Sequence, residues 1–185
     1  MDLTEKKLAG EQVFNGGFIK VQRDSVALPD GSPAWREYIR HPGAVAVLAL
    51  SDDGKLLLER QFRYPLARTF LEIPAGKIDP QEAPLATAKR ELLEETGYRA
   101  ANWFYLGKAY PCIGYSDEVI HYYLATALTA GERQLDEGEF LEVLTVPLAE
   151  VMTMTLDGRI CDSKSLVGLH WLAAWQRGEL RCEAL

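Results

Sequence analysis

The sequence contains little cysteine, and it lacks the apolar core of a secretory signal. Cys112, Cys161 and Cys182 are its three cysteines among 185 residues, and their spacing matches no metal-binding motif. The first ten residues, MDLTEKKLAG, hold no apolar stretch of the signal-peptide type. An odd number of cysteines without such a signal favours free thiols in a reducing compartment. The predicted location is therefore cytoplasmic, and none of the three cysteines is a candidate nucleophile.

Long apolar runs and excess positive charge are also missing. The richest apolar run is AVAVLAL at residues 44–50, which is strand-sized and falls short of the roughly 18 residues that a membrane span needs. The formal net charge is −7, with 20 Lys and Arg against 27 Asp and Glu. Because an acidic chain has no general attraction for phosphate backbones, we expect no nucleic acid partner, and no membrane partner either. A small anionic substrate is compatible with this charge, because a bound metal ion can reverse the field locally.

A helix with one acidic face is predicted at Pro84–Thr96. Pro84 suits the first helical position, where its missing N–H is not needed, and Gly97 suits the residue after the helix, where φ is often positive. At about 100° per residue, three carboxylates fall within a third of the circumference. They are Glu91, Glu94 and Glu95.

Two interpretations of this acidic face are open from the helix alone. Glu-rich helices are common solvated surfaces, on which Arg90 and Glu94 would form a simple i, i+4 ion pair. In a cleft, each pair of carboxylates would repel by roughly 3 kcal/mol at 5 to 6 Å under an effective dielectric of about 20. Such a face would need a cation, and Mg²⁺ is a hard ion that takes oxygen ligands.

The spacing around this helix decides between the two interpretations. The segment GKIDPQEAPLATAKRELLEETGY, residues 76–98, resembles the Nudix box, a glycine followed at fixed intervals by glutamate and by an Arg-Glu-aliphatic-X-Glu-Glu-X-Gly sequence. The matching positions are Gly76, Glu82, Arg90, Glu91, Leu92, Glu94, Glu95 and Gly97. The one departure is Tyr98, where the family has Ile, Leu or Val, and it concerns packing rather than metal binding.

The resemblance to the Nudix family implies a fold, a reaction and a cofactor. The implied fold is α/β, an α/β/α sandwich around a mixed sheet, and the implied reaction is hydrolysis of a nucleoside diphosphate linked to another group. Mg²⁺, or Mn²⁺ in its place, would be held by Glu91, Glu94 and Glu95 together with the backbone carbonyl of Ala75. Glu95 is also expected to be catalytic. The structural positions of the box are Gly76, Glu82, Arg90 and Gly97, and Arg90 is expected to orient the glutamates rather than touch substrate.

The rest of the chain predicts strands around two or three helices, which suits such a sandwich. Strands are predicted at residues 44–50, 55–62, 70–73, 103–109, 118–127 and 142–146, with the first two joined by a hairpin turn at Ser51-Asp52-Asp53-Gly54. Further helices are predicted at 148–155 and 163–177, the latter capped by Asp162 or Ser163 and closed by Gly178.

Residues 1–42 differ in composition from residues 43–185, which form the expected Nudix hydrolase domain. A turn at Pro29-Asp30-Gly31-Ser32 and a strand through residues 35–40 predict a small β arm of two short strands. Two strands are marginal alone, so their apolar residues need a surface to cover. This arm resembles the N-terminal subdomain of ADP-ribose pyrophosphatases. The resemblance implies a domain-swapped homodimer in which the arm supplies part of the adenine site.

Four segments carry the resemblance to that subfamily, and they imply the substrate contacts. They are residues 35–40, Gln61-Phe62-Arg63-Tyr64-Pro65, Leu71-Glu72-Ile73-Pro74-Ala75-Gly76 and Gly114-Tyr115-Ser116-Asp117-Glu118. By matching position, Trp35 would stack on adenine, and Arg40 and Arg63 would contact the diphosphate or the terminal ribose region. Glu118 would bind a ribose hydroxyl or organise its loop. Aromatic rings and guanidinium forks suit a purine and a diphosphate. Without the family, a packed Trp and a solvated Arg are equally good interpretations.

One departure concerns substrate choice. ADP-ribose hydrolases often carry a proline directly before the glycine that matches Gly114, whereas this chain has Ile113 there and Pro111 two residues earlier. The predicted activity is hydrolysis of ADP-ribose to AMP and ribose 5-phosphate, with ADP-sugars or GDP-mannose as the alternative substrates. A noncatalytic module that senses ADP-ribose is the rival from another class.

The general base is expected on the acidic segment LDEGEFLE at residues 135–142, the stretch that matches a mobile loop of the dimeric relatives. Glu139 directly precedes an apolar strand start and is the first choice, and Glu137 is the second. A solvated turn is the alternative interpretation, and for Glu137 it is the preferred one. No shared spacing or motif connects His41, His121 and His170, so we expect them to be structural.

Overall fold

The computed structural model describes residues 1–185, which divide into two compact units. The first, which we call the arm unit, consists of Met1–Pro42 together with Tyr110–Val119. The second, the core unit, consists of Gly43–Ala109 together with Ile120–Leu185. The segment Tyr110–Val119 therefore belongs to the arm unit, although the sequence predicted it to be part of the domain at residues 43–185.

The arm unit contains a three-stranded antiparallel sheet in the order β1-β2-β3. Its strands are β1 (Lys6–Asn15), β2 (Lys20–Ala27) and β3 (Pro33–Arg40). The prediction of two strands was wrong, because β1 is exposed along its whole length and shows no alternation of apolar and polar residues. The predicted turn before β3 is confirmed, with Gly31 at a φ of 85° and its N–H bonded to the Leu28 carbonyl at 2.8 Å.

Asp24 on β2 connects the three strands of the arm. Its carboxylate lies 2.8 Å from Lys7 Nζ on β1 and accepts a hydrogen bond from the Tyr38 hydroxyl on β3 at 3.0 Å. Gly10 leaves the space for this side chain, because a Cβ on Gly10 would lie 2.0 Å from Asp24 Oδ1. The arm is therefore held by a buried carboxylate as well as by its backbone ladder.

The core unit combines two sheets with three helices. A mixed five-stranded sheet has the order β11-β8-β9-β4-β7, with β4 and β9 parallel, and a three-stranded antiparallel sheet has the order β10-β5-β6. The strands are β4 (Ala44–Ala49), β5 (Lys55–Arg63), β6 (Arg68–Glu72), β7 (Ala75–Lys77), β8 (Tyr98–Ala109), β9 (Ile120–Ala130), β10 (Leu141–Pro147) and β11 (Glu183–Ala184). The helices are α1 (Pro84–Thr96), α2 (Leu148–Leu156) and α3 (Ser163–Gln176). The fold is thus the α/β fold with a mixed sheet that the sequence predicted.

The turn between β4 and β5 forms as predicted, but the two strands do not pair as a hairpin. Gly54 has a φ of 76°, and its N–H bonds the Ser51 carbonyl at 3.0 Å. Beyond a single bridge between Leu50 and Leu56, the strands pair with different partners. The Asp-Gly signal specifies the local turn, whereas the sheet that each strand joins depends on distant residues.

Alternate residues of β4 enter two separate apolar clusters. Val45, Val47 and Ala49 pack in one cluster with Ala88 and Leu92 of α1. The intervening residues, Ala46 and Leu48, belong to a second cluster with buried residues of α2 and α3, which include Val151, Leu169 and Leu172. The period of two along the strand thus places helices on both faces of the sheet.

The helix boundaries follow local signals. Helix α1 has the predicted bounds, with Gly97 at a φ of 76° and its N–H bonded to Leu93, but Ala83 provides no side-chain cap. Asp162 caps α3 by accepting a hydrogen bond from Ser165 N, as predicted, and the helix ends one residue before Arg177. None of the three helices has the length and apolarity that crossing a membrane requires.

Candidate active site

The acidic face of α1 lies against the strand that begins at Ala75. A Cβ on Gly76 would lie only 1.9 Å from the carboxyl carbon of Glu91, so no larger residue fits there while Glu91 keeps its place. Ala75 N donates a hydrogen bond to Glu95 Oε2 at 3.1 Å. The glycine of the box therefore allows β7 to approach two of its glutamates closely.

Arg90 donates hydrogen bonds to three glutamates of the segment, Glu82, Glu91 and Glu94. Its Nη2 and Nε donate to the two oxygens of Glu82 at 2.9 and 3.1 Å. Its Nη1 donates to Glu91 Oε1 at 3.0 Å and to Glu94 Oε2 at 2.8 Å. The fork to Glu82 lowers the pKa of that carboxyl below its usual range. Arg90 thus holds Glu91 and Glu94 on one side of α1.

A further buried carboxylate comes from β5. Glu59 is 3% exposed and Glu95 is 4% exposed, and the two carboxyl groups lie within hydrogen-bond reach of each other. Glu59 Oε1 is buried and has no hydrogen-bond partner. Two carboxyl groups can share a hydrogen bond only when one of them carries the proton. The pair therefore forms the deepest part of the acidic cluster.

Burial and like charge together shift the titration of this cluster upward. Burial raises the pKa of Glu59 to about 8, although the bond with Glu95 and the charge of Lys164 oppose the shift. Burial raises the pKa of Glu91 to about 7 against the opposing charge of Arg90. The pKa of Glu95 lies well above its ordinary range because of burial and the charges of Glu59 and Glu91. For Glu59 and Glu91, burial of the charged form outweighs the stabilisation that Lys164 and Arg90 provide.

The donor set fits a divalent cation. No group of three or more His, Cys, Asp or Glu side chains is arranged to hold a metal ion in this structure, and Arg90 contacts the oxygens of Glu91 and Glu94. However, a buried oxygen of Glu59 has no partner, and the raised pKa values of Glu59 and Glu91 show carboxylates that a cation would stabilise. Carboxylate oxygens are the ligands that Mg²⁺ and Mn²⁺ take.

The loop before β10 brings Glu139 toward this cluster. Gln61 Nε2 on β5 donates to Glu139 Oε1 at 3.4 Å, and the Glu139 charge acts on the pKa values of Glu59, Glu91 and Glu95. Glu137, two residues earlier, is exposed, and its charge is not among the main causes of these pKa shifts. Of the two candidate bases, Glu139 is thus the one that lies near the acidic cluster.

Arg63, at the end of β5, is held by a buried carboxylate of the neighbouring strand. Its Nε and Nη2 donate to the two oxygens of Glu72, each at 2.8 Å. This fork leaves Nη1 without a protein hydrogen bond, and the Arg63 side chain is 43% exposed. Burial raises the pKa of Glu72, but the ion pairs with Arg63 and Lys164 outweigh it and hold the pKa below its ordinary value.

The remaining predicted substrate residues belong to the arm unit. Trp35 on β3 is 64% exposed. Arg40 Nη1 lies 2.9 Å from Asp117 Oδ2. Glu118 Oε1 lies 3.7 Å from His41 Nε2. The structure therefore groups Arg40 and Glu118 around the segment Tyr110–Val119, within one unit.

Comparison with known proteins places the chain in a family. A model described as the NUDIX domain matches residues 40–166. The chain belongs to the Nudix family. The segment 76–98 lies inside the matched range, and so do Glu59, Glu72 and Glu139. All the acidic residues of the candidate site therefore belong to the Nudix domain.

Relatives of this Nudix chain carry names that bear on function. An ADP-ribose pyrophosphatase of Bacillus subtilis (strain 168) is 44% identical over 92% of this chain and 93% of its own length. A methanol dehydrogenase activator of Bacillus methanolicus is 41% identical over 91% of this chain and 92% of its own. A crystal structure of an ADP compounds hydrolase covers 97% of this chain and 98% of its own, with a TM-score of 0.85 at 25% identity.

Sequence reasoning missed two residues of this Nudix site, Glu59 and Glu72. Both are buried carboxylates on neighbouring strands, and they lie directly opposite each other in the β5–β6 ladder. The signal for Glu59 was an acidic residue directly after the apolar run Leu56-Leu57-Leu58. Glu72 stood inside a segment that matched the subfamily, where no role was assigned to it. Buried charges in strands are rare unless they are paired or bind a metal.

Proposed function

We propose that the chain is a Mg²⁺-dependent diphosphatase that hydrolyses ADP-ribose to AMP and ribose 5-phosphate. The observation that carries the proposal is the buried cluster of Glu59, Glu91 and Glu95, whose raised pKa values indicate a need for positive charge. A Mg²⁺ ion would meet that need, and it would at the same time neutralise the negative charge of a substrate diphosphate. The choice of ADP-ribose is supported by the ADP-ribose pyrophosphatase that is 44% identical to this chain.

Glu91, Glu94 and Glu95, with the Ala75 carbonyl, would hold the ion. When bound, Mg²⁺ supplies charge that neutralises the phosphoryl oxygens and lowers the pKa of the attacking water. Mn²⁺ would satisfy the same donors. The role of Arg90 in this proposal is to hold Glu91 and Glu94 in orientation through its hydrogen bonds, and Glu82 fixes Arg90 in turn.

The other residues would position substrate and move the proton. Glu139 accepts a proton from water at a carboxylate oxygen as the water oxygen bonds to one phosphorus. The bond from that phosphorus to the bridging oxygen breaks, and the bridging oxygen leaves with the other phosphate, so the products are AMP and ribose 5-phosphate. Arg63 donates its free Nη1 edge to the diphosphate. In the arm unit, Trp35 stacks on adenine, Arg40 contacts the diphosphate or terminal ribose, and Glu118 accepts from a ribose hydroxyl.

The proposal is tested by a substrate panel with Mg²⁺ and, in parallel, with EDTA. The panel contains ADP-ribose, an ADP-sugar, GDP-mannose, a dinucleoside polyphosphate and nucleoside triphosphates, with products separated by chromatography. We expect AMP and ribose 5-phosphate from ADP-ribose as the fastest reaction, and no reaction in EDTA. Faster turnover of GDP-mannose or an ADP-sugar would show that the preferred substrate is another nucleotide sugar. Equal inertness with and without metal would overturn the proposal.

A second candidate is a module that binds ADP-ribose and regulates a partner protein without hydrolysis. The observation that favours it is the Bacillus methanolicus relative, whose name is methanol dehydrogenase activator. Thermal melting with ADP-ribose and Mg²⁺, with released AMP measured in parallel by chromatography, separates the two functions. A raised melting temperature without release of AMP would support the regulatory module, and release of AMP supports the diphosphatase.

We also propose that the chain works in the cytoplasm as a domain-swapped homodimer. The three cysteines form no disulfide, which suits a reducing compartment. The arm unit exposes large apolar side chains that a second copy would cover, and they are Leu8, Val13, Phe14, Phe18 and Ile19. Sedimentation velocity is expected to give twice the mass of one chain. The double variant Leu8→Lys/Val13→Lys is expected to have the mass of a single chain.

A further inference from the structure

Glu72 is a buried carboxylate that two cations share. Its Oε1 accepts from Arg63 Nε, and its Oε2 accepts from Arg63 Nη2, each at 2.8 Å. Lys164 Nζ also donates to Oε2. The side chain of Glu72 is 4% exposed, so both cations replace the hydration that this carboxylate has lost.

Lys164 reaches Glu72 from a position that its surroundings hold in place. It is the second residue of α3, and its Nζ lies 3.1 Å from Oδ1 of Asp162, the residue that caps the helix. The next residue, Ser165, is buried, and its Oγ accepts from Ile73 N at 3.0 Å. The first turn of α3 is therefore attached to the end of β6 at two consecutive positions, one of them Lys164.

The burial of Lys164 distinguishes it from a solvated surface lysine. Its side chain is 16% exposed, whereas Lys55, which pairs with Asp53 at 2.6 Å, is 43% exposed. Two carboxylates, Glu72 and Asp162, balance the charges of Arg63 and Lys164, so the group of four is neutral overall. Removal of Lys164 would leave the buried Glu72 with Arg63 as its single cation.

We propose that Lys164 is a positioning residue for the diphosphatase reaction: it fixes Glu72, which holds the Arg63 guanidinium with its free Nη1 edge directed to the substrate diphosphate. This inference rests on the proposed function. Without Lys164, the Glu72 carboxylate can rotate toward other donors or water, and the fork to Arg63 loses its fixed orientation. An Arg63 guanidinium that keeps only one of its two hydrogen bonds to Glu72 is less well oriented, and it therefore binds a diphosphate less tightly.

The experiment is a double-mutant cycle on purified full-length protein with ADP-ribose and Mg²⁺. The variants are Lys164→Met, Arg63→Gln and the two combined. Lys164→Met keeps an unbranched side chain and removes the charge. We expect Lys164→Met to raise KM roughly tenfold and to change kcat by less than about threefold, because the interaction lost is one of substrate binding. Added to Arg63→Gln, it should cause no further loss in kcat/KM, because Lys164 acts through Arg63.

Two controls separate positioning from general stability. Lys164→Arg is expected to restore KM to within about threefold of wild type, because it keeps a cation that can donate to Glu72. Lys55→Met is the matched control for an ion-paired lysine on the surface, and it should leave KM and kcat unchanged. If Lys164→Met does not fold, Lys164→Gln takes its place, since it keeps a donor to Glu72 while it removes the charge.

The inference is overturned if KM is unchanged in the charge-removing variant, or if the losses multiply in the combined variant. A loss of melting temperature without a change in KM would also overturn it, because Lys164 would then be structural only. These outcomes are distinct from failure of the proposed function, in which the wild-type protein itself releases no AMP from ADP-ribose.

Discussion

Glu95 lies where α1, β5 and β7 meet, and it combines burial, a contact with Glu59 and a hydrogen bond from Ala75 N. Glu95→Gln keeps the size of the side chain and removes the charge that a metal ion would need. We expect kcat to fall by about two to three orders of magnitude, because charge stabilisation is a large catalytic contribution. The melting temperature of the metal-free protein should not fall, since the variant removes like-charge repulsion.

The measurement for Glu95→Gln is kcat with ADP-ribose under saturating Mg²⁺, together with thermal melting in EDTA. Glu150→Gln is the matched control, because Glu150 lies on α2 with a half-exposed side chain that meets Arg159 at 3.5 Å. Equal rates for the two variants would exclude Glu95 from the reaction.

Gly76 is required by the closeness of β7 to Glu91 rather than by a special backbone conformation. In Gly76→Ala, the new Cβ would lie 1.9 Å from the Glu91 carboxyl carbon, so Glu91 must move. We expect the Mg²⁺ concentration for half-maximal activity to rise by about tenfold or more, as for other losses of ligand orientation. Gly17→Ala serves as the control, because nothing lies within 4 Å of its Cβ. An unchanged Mg²⁺ requirement would contradict this account of the box glycine.

At the scale of the elements, the first turn of α3 depends on Asp162. Its side chain accepts from Ser165 N at 3.0 Å, which satisfies one of the free N–H groups at the helix start. Asp162→Ala is expected to lower the free energy of unfolding by about 1–2 kcal/mol. Urea unfolding measures the change, with Asp157→Ala as the control, because Asp157 pairs with Arg159 at the surface and caps no helix N-terminus. An equal change in the control would show that the cap contributes nothing specific.

The elements that the sequence predicted best are those with local signals at both ends. Helix α1 begins at Pro84 and ends before Gly97 because a missing N–H and a positive φ act on the residues that carry them. Strand β1 was missed because all its residues are exposed, so it shows no apolar alternation. The β4–β5 turn was predicted, but the separate sheets were not, because strand partners are far away in sequence.

At the scale of the whole molecule, the acidic cluster links stability to pH and to metal. Burial raises the pKa of Glu59 from 4.5 to about 8, so between these values the folded protein binds more protons than the unfolded chain. The contribution of Glu59 to stability is therefore fully present below its unfolded pKa and is lost as pH rises through about 8. Glu91, with a pKa raised to about 7, acts in the same direction.

We therefore expect the EDTA-treated protein to melt at a lower temperature near about pH 8.5 than near about pH 6. Glu59→Gln should reduce this difference, because it removes the carboxyl group whose pKa is raised to about 8. Mg²⁺ should raise the melting temperature most at the higher pH, where the carboxylates are ionised and bind a cation most strongly. A melting temperature that rises with pH in EDTA would contradict the sign of this linkage.

The chemistry and spacing of the α1 carboxylates follow from the sequence alone, because helical geometry places residues three and four apart on one face. The sequence also predicted Gly97 at the end of α1, whereas the space that Gly76 leaves for Glu91 was seen only in the structure. By contrast, Glu59, Glu72 and Lys164 come together from β5, β6 and α3 only when the chain folds. Their side chains meet through strand register and helix docking, and these contacts between distant residues leave no local pattern in the chain.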